Sequence, residues 1–139
     1  MGPVGAAWRT AARIAASLRS LLADEILPER PLRQWVLSLP MALRFLLATR
    51  PAVLSAVLGV VYRTISGHLR REARLTCRTG HTGAITLIQR FGSALNLNVH
   101  LHIIFVDGAY RSDGSAPPVF HPVPPPDAAH LQALVRRIA

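Results

Sequence analysis

Two histidines separated by one residue, His100 and His102, are the pair in this sequence best suited to chemistry. In residues 98–105 around them every odd-numbered side chain is hydrophobic, with the two histidines between them, a pattern typical of a β-strand. Because successive side chains of a strand point to opposite faces, both imidazoles point the same way, about 7 Å apart along the chain. Two imidazoles on a rigid strand can bind one divalent metal ion with a further ligand from a neighbouring element. The spacing therefore indicates a metal site, with two histidines on a solvated sheet face as the alternative.

The further ligand that we expect is Gln89. It lies in residues 84–91, an adjacent predicted strand, and only a short turn separates it from His100. Hairpin pairing can bring its amide oxygen close to the imidazoles, but a surface glutamine is an equal alternative because the sequence does not fix the register. His81 and His121 are weaker candidates, since neither has a spacing that places it on the histidine face.

The elements that position these side chains follow from hydrophobic periodicity and from proline and glycine positions. We expect a helix over residues 6–26, a strand over 34–39, helical structure over 41–74 divided at Pro51, strands over 84–91 and 98–106, a further strand from Tyr110, an edge strand over 119–123 and a final helix after Asp127. The pair Asp107-Gly108 predicts a hairpin turn. This order predicts an α+β fold, a mostly antiparallel sheet with helices on one face.

Charge and composition point to an anionic partner. All 16 basic residues are arginine against 7 acids, which gives a net charge of +9. Arginine suits bidentate contact with phosphate, although an arginine bias also reflects the base composition of a genome. Arg70, Arg71 and Arg74, at the end of a predicted helix, are available for phosphate, and Arg90 is a further candidate.

Cysteine content and hydropathy suggest the compartment. Cys77 is the single cysteine, so an internal disulfide and a zinc site built from several thiolates are excluded. The longest apolar run, residues 51–62, is shorter than the roughly 20 residues of a membrane-spanning helix. We expect a cytoplasmic protein with no membrane partner.

A longer block around the histidines resembles a known family. Residues 83–98 read GAITLIQRFGSALNLN and are followed by the His100-Leu101-His102 triplet and then by Asp107-Gly108. This block is similar to the signature region of two-tyrosine rolling-circle insertion-sequence transposases, members of the His-hydrophobe-His nuclease superfamily. Residues 33–40, RQWVLSLP, also resemble the first strand of that family.

The resemblance implies a ferredoxin-like sheet and a metal ion, Mg²⁺ or Mn²⁺, at the paired histidines. It also implies single-stranded DNA as the partner, rather than a small-molecule substrate, and cleavage through a covalent tyrosyl phosphate. In such chemistry the metal polarises the phosphate that a tyrosine attacks.

Two departures from the family pattern bear on activity. Residues 1–21 lack the cysteines of the family's zinc-binding segment, and the only tyrosines, Tyr62 and Tyr110, do not lie on a helix downstream of the histidines. We therefore expect an incomplete domain with no catalytic residue of its own. In this interpretation residues 1–30 form a helical segment that need not derive from the family, and residues 31–139 form a partial transposase nuclease domain. The alternatives are a non-enzymatic basic DNA-binding or regulatory module and a frame that encodes no functional protein.

Overall fold

A computed structural model describes residues 29–91 and 96–139 of the chain. In chain order its elements are β1 (Leu32–Ser38), α1 (Met41–Thr49), α2 (Pro51–Glu72), β2 (Gly80–His81), β3 (Ala84–Phe91), β4 (Leu97–Val106), β5 (Gly108–Arg111), β6 (Val119–Pro122) and α3 (Ala128–Ile138). The predicted α+β class is confirmed. The predicted helix over residues 6–26, the turn before Asn96 and most of the predicted N-terminal segment lie outside the described residues.

β4 is the central strand of an antiparallel sheet with the order β1-β4-β3. Its odd-numbered residues Val99, Leu101, Ile103 and Phe105 are at most 2% exposed, whereas the histidines between them are half-buried. The strand therefore separates the two faces of the sheet as its alternation predicts. One face forms the core and the other carries the histidines.

The helices cover the core face of this sheet. Buried residues of all three helices pack with β4 or with one another; they include Leu47, Leu54, Val61, Ile65, Leu69 and Leu134. Pro51 is the first residue of α2, where its missing N–H costs no hydrogen bond, so the predicted division of the helical segment there is confirmed. The prediction of helices on one face of an antiparallel sheet also holds.

The α2 helix is apolar enough to be compared with a membrane span. Among the described residues it alone passes a test of length and composition for crossing a membrane, with a mean hydropathy of 1.3 over its 18-residue window. Its side chains Leu54, Val61, Ile65 and Leu69 belong to the core, and 33% of the window is buried.

The predicted hairpin at Asp107-Gly108 is wrong. The chain bends there without reversing, and β5 joins a second antiparallel sheet with the order β2-β5-β6. Asp107 holds the bend from both sides, because its N–H donates to the Pro31 carbonyl and its own carbonyl accepts from the N–H of Val123. Its carboxylate also accepts two hydrogen bonds from the Arg33 guanidinium, one of them from Nε at 2.8 Å.

Gly108 is needed for close approach of the next strand. A Cβ at this position would lie 2.2 Å from the carbonyl oxygen of His121, which is backbone and cannot give way. The glycine that suggested a turn thus serves strand packing instead.

The α3 helix begins as its sequence predicts. The Asp127 carboxylate accepts a hydrogen bond from the N–H of His130 at 2.8 Å, as in a helix N-cap. The helix packs against α2, where the His130 ring lies 5.3 Å from the ring of His68.

We predict that this junction makes stability depend on pH. His68 is 3% exposed, and its Nε2 has no hydrogen-bond partner among the described residues. Burial, with the repulsive charges of His130 and Arg71, lowers the pKa of His68 below 6.5, and the negative charges of Glu72 and Asp127 oppose this shift. The unfolded chain therefore binds this proton more readily, so the free energy of unfolding should fall as pH drops below about 6.5.

The measurement is urea unfolding at several pH values between 8 and 5, compared with His68→Met. The variant should lose part of the pH dependence while keeping the rest, because the pKa of His102 is lowered too. An unchanged pH dependence would contradict this account of the junction.

Candidate functional site

The open face of the first sheet brings together His100, His102 and polar side chains from both neighbouring strands. In the antiparallel register, Gln89 of β3 is paired directly with His100, and Ser38 of β1 is paired with it on the other side. The next row places His102 between Val36 and Leu87. The register that the sequence left open thus places Gln89 beside the histidines.

A hydrogen bond to the backbone fixes the tautomer of His100. Its Nδ1 lies 2.9 Å from the carbonyl oxygen of Asn98. A carbonyl oxygen only accepts hydrogen bonds, so Nδ1 must carry the proton and donate it. The lone pair of Nε2 is therefore available for a metal ion.

His102 is held neutral by its surroundings. Burial, then the neighbouring charge of His100, lowers its pKa below 6.5. Its Nδ1 lies 3.0 Å from the side-chain amide nitrogen of Gln34, a residue of β1 on the same face. Since a metal ion needs an unprotonated imidazole nitrogen, this environment favours ligation near neutral pH.

Gln89 offers an oxygen. Its Nε2 donates to the Phe91 carbonyl at 3.1 Å, and no hydrogen bond within the described parts of the chain engages its Oε1. The side chain is exposed, so its oxygen is free to turn towards a bound ion.

The donor set is two imidazole nitrogens and one amide oxygen. In residues 29–91 and 96–139 no three histidine, cysteine, aspartate or glutamate side chains form a metal-binding group, so an ion at this face would depend on Gln89 and on water or phosphate. Such a mixed set suits Mn²⁺ better than Mg²⁺, which prefers oxygen ligands. The residues present are thus compatible with a weakly held Mn²⁺ ion.

The other histidine candidates lie elsewhere. His81 is in β2 and His121 is in β6, so both belong to the second sheet. The structure does not bring them together with His100 and His102.

The predicted phosphate-binding arginines divide between two places. Arg90 follows Gln89 in the chain, at the irregular end of β3, where it is exposed. Arg70 and Arg71 are in the last turn of α2, on the opposite, helical side of the sheet. Arg74 lies just beyond that helix and has a left-handed backbone, φ 57°. The helix thus ends two residues earlier than the sequence predicted.

Neither tyrosine lies at the histidine face. Tyr62 stacks on Phe105 in the helical layer, with ring centroids 5.6 Å apart, and its hydroxyl donates to the Thr82 carbonyl. Tyr110 is in β5 of the second sheet, with its ring against Phe120. Both rings pack against other aromatic side chains.

Gln34 was not among the residues that the sequence predicted for this site. The sequence did indicate that this side chain lies away from the core, since Gln34, Val36 and Ser38 alternate with hydrophobic residues that face the core. Without knowing that β1 pairs with β4, nothing connected it with His102.

Comparison with known proteins identifies the segment that carries these histidines. Residues 83–138, less than half of the chain, match a protein-family model described as "Putative transposase". No curated protein and no solved structure matches the chain. The segment from β3 to α3, with both histidines and Gln89, is therefore similar to transposases.

Proposed function

We propose that this chain is a transposase nuclease module of the rolling-circle type that binds a divalent metal ion and single-stranded DNA. His100, His102 and Gln89 supply the metal ligands, and Arg90 lies beside them for phosphate. The observation that carries the proposal is the direct pairing of Gln89 with His100 on the open face, next to His102, whose pKa is lowered by burial. The similarity of residues 83–138 to transposases supports DNA as the partner.

Each group has a definite part in binding. A bound metal ion would polarise a phosphate oxygen of the DNA backbone. The two imidazoles would donate their Nε2 lone pairs, which for His102 requires the proton to lie on Nδ1, and the hydrophobic side chains of Val36 and Leu87 flank His102. The Arg90 guanidinium can donate two parallel hydrogen bonds to a phosphate.

We propose binding without cleavage. Phosphodiester cleavage by this type of enzyme needs a tyrosine hydroxyl in line with the leaving oxygen. Both tyrosines of this chain face other parts of the fold. The module therefore holds DNA but does not supply the nucleophile.

A second function is favoured by the position of Arg70 and Arg71. Because these arginines lie on the helical side of the sheet, DNA bound to them would not contact the histidines. In that case the chain is a basic DNA-binding module that does not need a metal ion.

Fluorescence anisotropy with labelled single-stranded and double-stranded oligonucleotides of one sequence tests both functions. We expect preference for the single strand, tighter binding with Mn²⁺ than with a chelator, and loss of that difference in the His100→Ala/His102→Ala variant. If about three phosphates are neutralised, affinity should fall roughly 20-fold between about 0.05 and 0.2 M salt.

The matched variant is Arg70→Ala/Arg71→Ala, which keeps the histidine face. Loss of binding in this variant, with no effect of chelator on the unsubstituted chain, would favour the second function. No binding at low salt would overturn both. The same mixtures on a denaturing gel should show no covalent protein–DNA adduct, and an adduct removed by Tyr62→Phe or Tyr110→Phe would contradict binding without cleavage.

A further inference from the structure

The two histidines of the open face are held by different kinds of partner. His100 donates its Nδ1 proton to a backbone carbonyl of its own strand. His102 has its Nδ1 against the side-chain amide of Gln34, which comes from β1, 68 residues earlier in the chain. The state of His100 is thus fixed by the strand itself, whereas that of His102 depends on another side chain.

The amide of Gln34 can act on His102 in two ways. In one orientation its Nε2 donates to an unprotonated Nδ1, and the imidazole proton then lies on Nε2. After a half-turn of the amide, its Oε1 accepts from a protonated Nδ1 and the Nε2 lone pair of His102 becomes free. The half-turn exchanges a donor for an acceptor without moving the backbone.

We propose that Gln34 is a positioning residue that selects the metal-binding tautomer of His102. With its oxygen towards Nδ1, it would give His102 the same arrangement that the Asn98 carbonyl gives His100, so each histidine would have its Nε2 lone pair free for a metal ion. The strand register supports this role. Val36 is the cross-strand partner of His102, and Gln34 lies two residues before Val36 on the same face of β1. An outer partner of this kind orients a ligating histidine and raises its basicity.

The role rests on the metal site proposed above, but it can be measured without metal. In the full chain, ¹⁵N NMR of the imidazole nitrogens reports the tautomers of His100 and His102 separately. We expect Gln34→Leu to change the tautomer populations of His102 and to leave those of His100 unchanged, which makes His100 an internal control. Gln34→Glu, whose carboxylate only accepts, should shift His102 towards the form protonated at Nδ1.

Calorimetric titration with Mn²⁺ gives the second measurement. Affinity should fall about 10-fold in Gln34→Leu and should be retained or increased in Gln34→Glu. Ser38→Ala is the matched control, because Ser38 is on the same strand and face but is paired with His100, and it should bind Mn²⁺ as the unsubstituted chain does.

The outcomes separate the two ideas. Unchanged His102 tautomers and unchanged affinity in Gln34→Leu would overturn the role of Gln34, even if the chain binds Mn²⁺ at its histidines. A His102 tautomer that follows Gln34 in a chain that binds no Mn²⁺ would overturn the metal site, and with it this use of Gln34.

Discussion

Replacing both His100 and His102 by alanine is expected to abolish Mn²⁺ binding while leaving the fold intact. The two imidazoles are two of the three ligands that we propose on the open face, and one exposed amide does not hold a divalent ion alone. Both side chains lie on the face away from the core. Their removal should therefore lower the free energy of unfolding by far less than the roughly 2–5 kcal/mol of a large core truncation. Calorimetric titration and urea unfolding measure the two effects on the same samples.

Two single variants sharpen this experiment. Gln89→Ala removes the proposed oxygen ligand and should weaken binding without abolishing it. His81→Ala removes an exposed histidine from the second sheet and should change nothing, which controls for nonspecific binding of the ion to imidazole. Equal affinity in the double variant and the unsubstituted chain would show that Mn²⁺ binds elsewhere.

The sequence predicted those parts of the fold that short-range patterns determine. The bounds of β3, Ala84–Phe91, agree with the prediction, and β4 begins one residue earlier than expected. Strong alternation defines β4, because the side of the strand that covers the core must be hydrophobic. The same alternation placed His100 and His102 on one face.

The remaining parts depend on pairing between distant residues, which short-range patterns do not encode. The Asp107-Gly108 pair has the composition of a hairpin turn, but contacts with Pro31 and Val123 make it a bend between two sheets. Gln34 lies close to His102 only because β1, the first strand of the chain, pairs with β4. The register between β3 and β4 likewise had to be seen before Gln89 could be placed beside His100.

Charge was predictive of a class of partner but not of a surface. The sequence predicted Arg70, Arg71, Arg74 and Arg90 as candidates for phosphate binding but did not place them on a surface. In the fold, the sheet separates the α2 arginines from the histidine face, and only Arg90 remains near it. Experiments on DNA binding must therefore change the two groups separately.

Phe105→Ala is expected to lower the free energy of unfolding by about 3–5 kcal/mol, a large part of the roughly 5–15 kcal/mol of a typical domain. Phe105 is fully buried in β4, on the opposite face from His102, and its ring stacks on that of Tyr62. Truncation removes this aromatic contact and leaves a cavity between the sheet and α2. Because Phe105 lies on the strand that carries both histidines, its loss should also weaken Mn²⁺ binding.

Phe45→Ala provides a matched control, since the same ring is deleted from an exposed site on α1, where Phe45 is 71% exposed. Its cost should stay within about 0.5 kcal/mol, as for other surface substitutions. Phe105→Leu keeps most of the volume and should cost less than about 1.5 kcal/mol. Urea unfolding followed by circular dichroism distinguishes these values. Equal losses for the two alanine variants would mean that the helices do not cover this face of β4. The assignment of the histidines to the open face of the sheet would then be wrong.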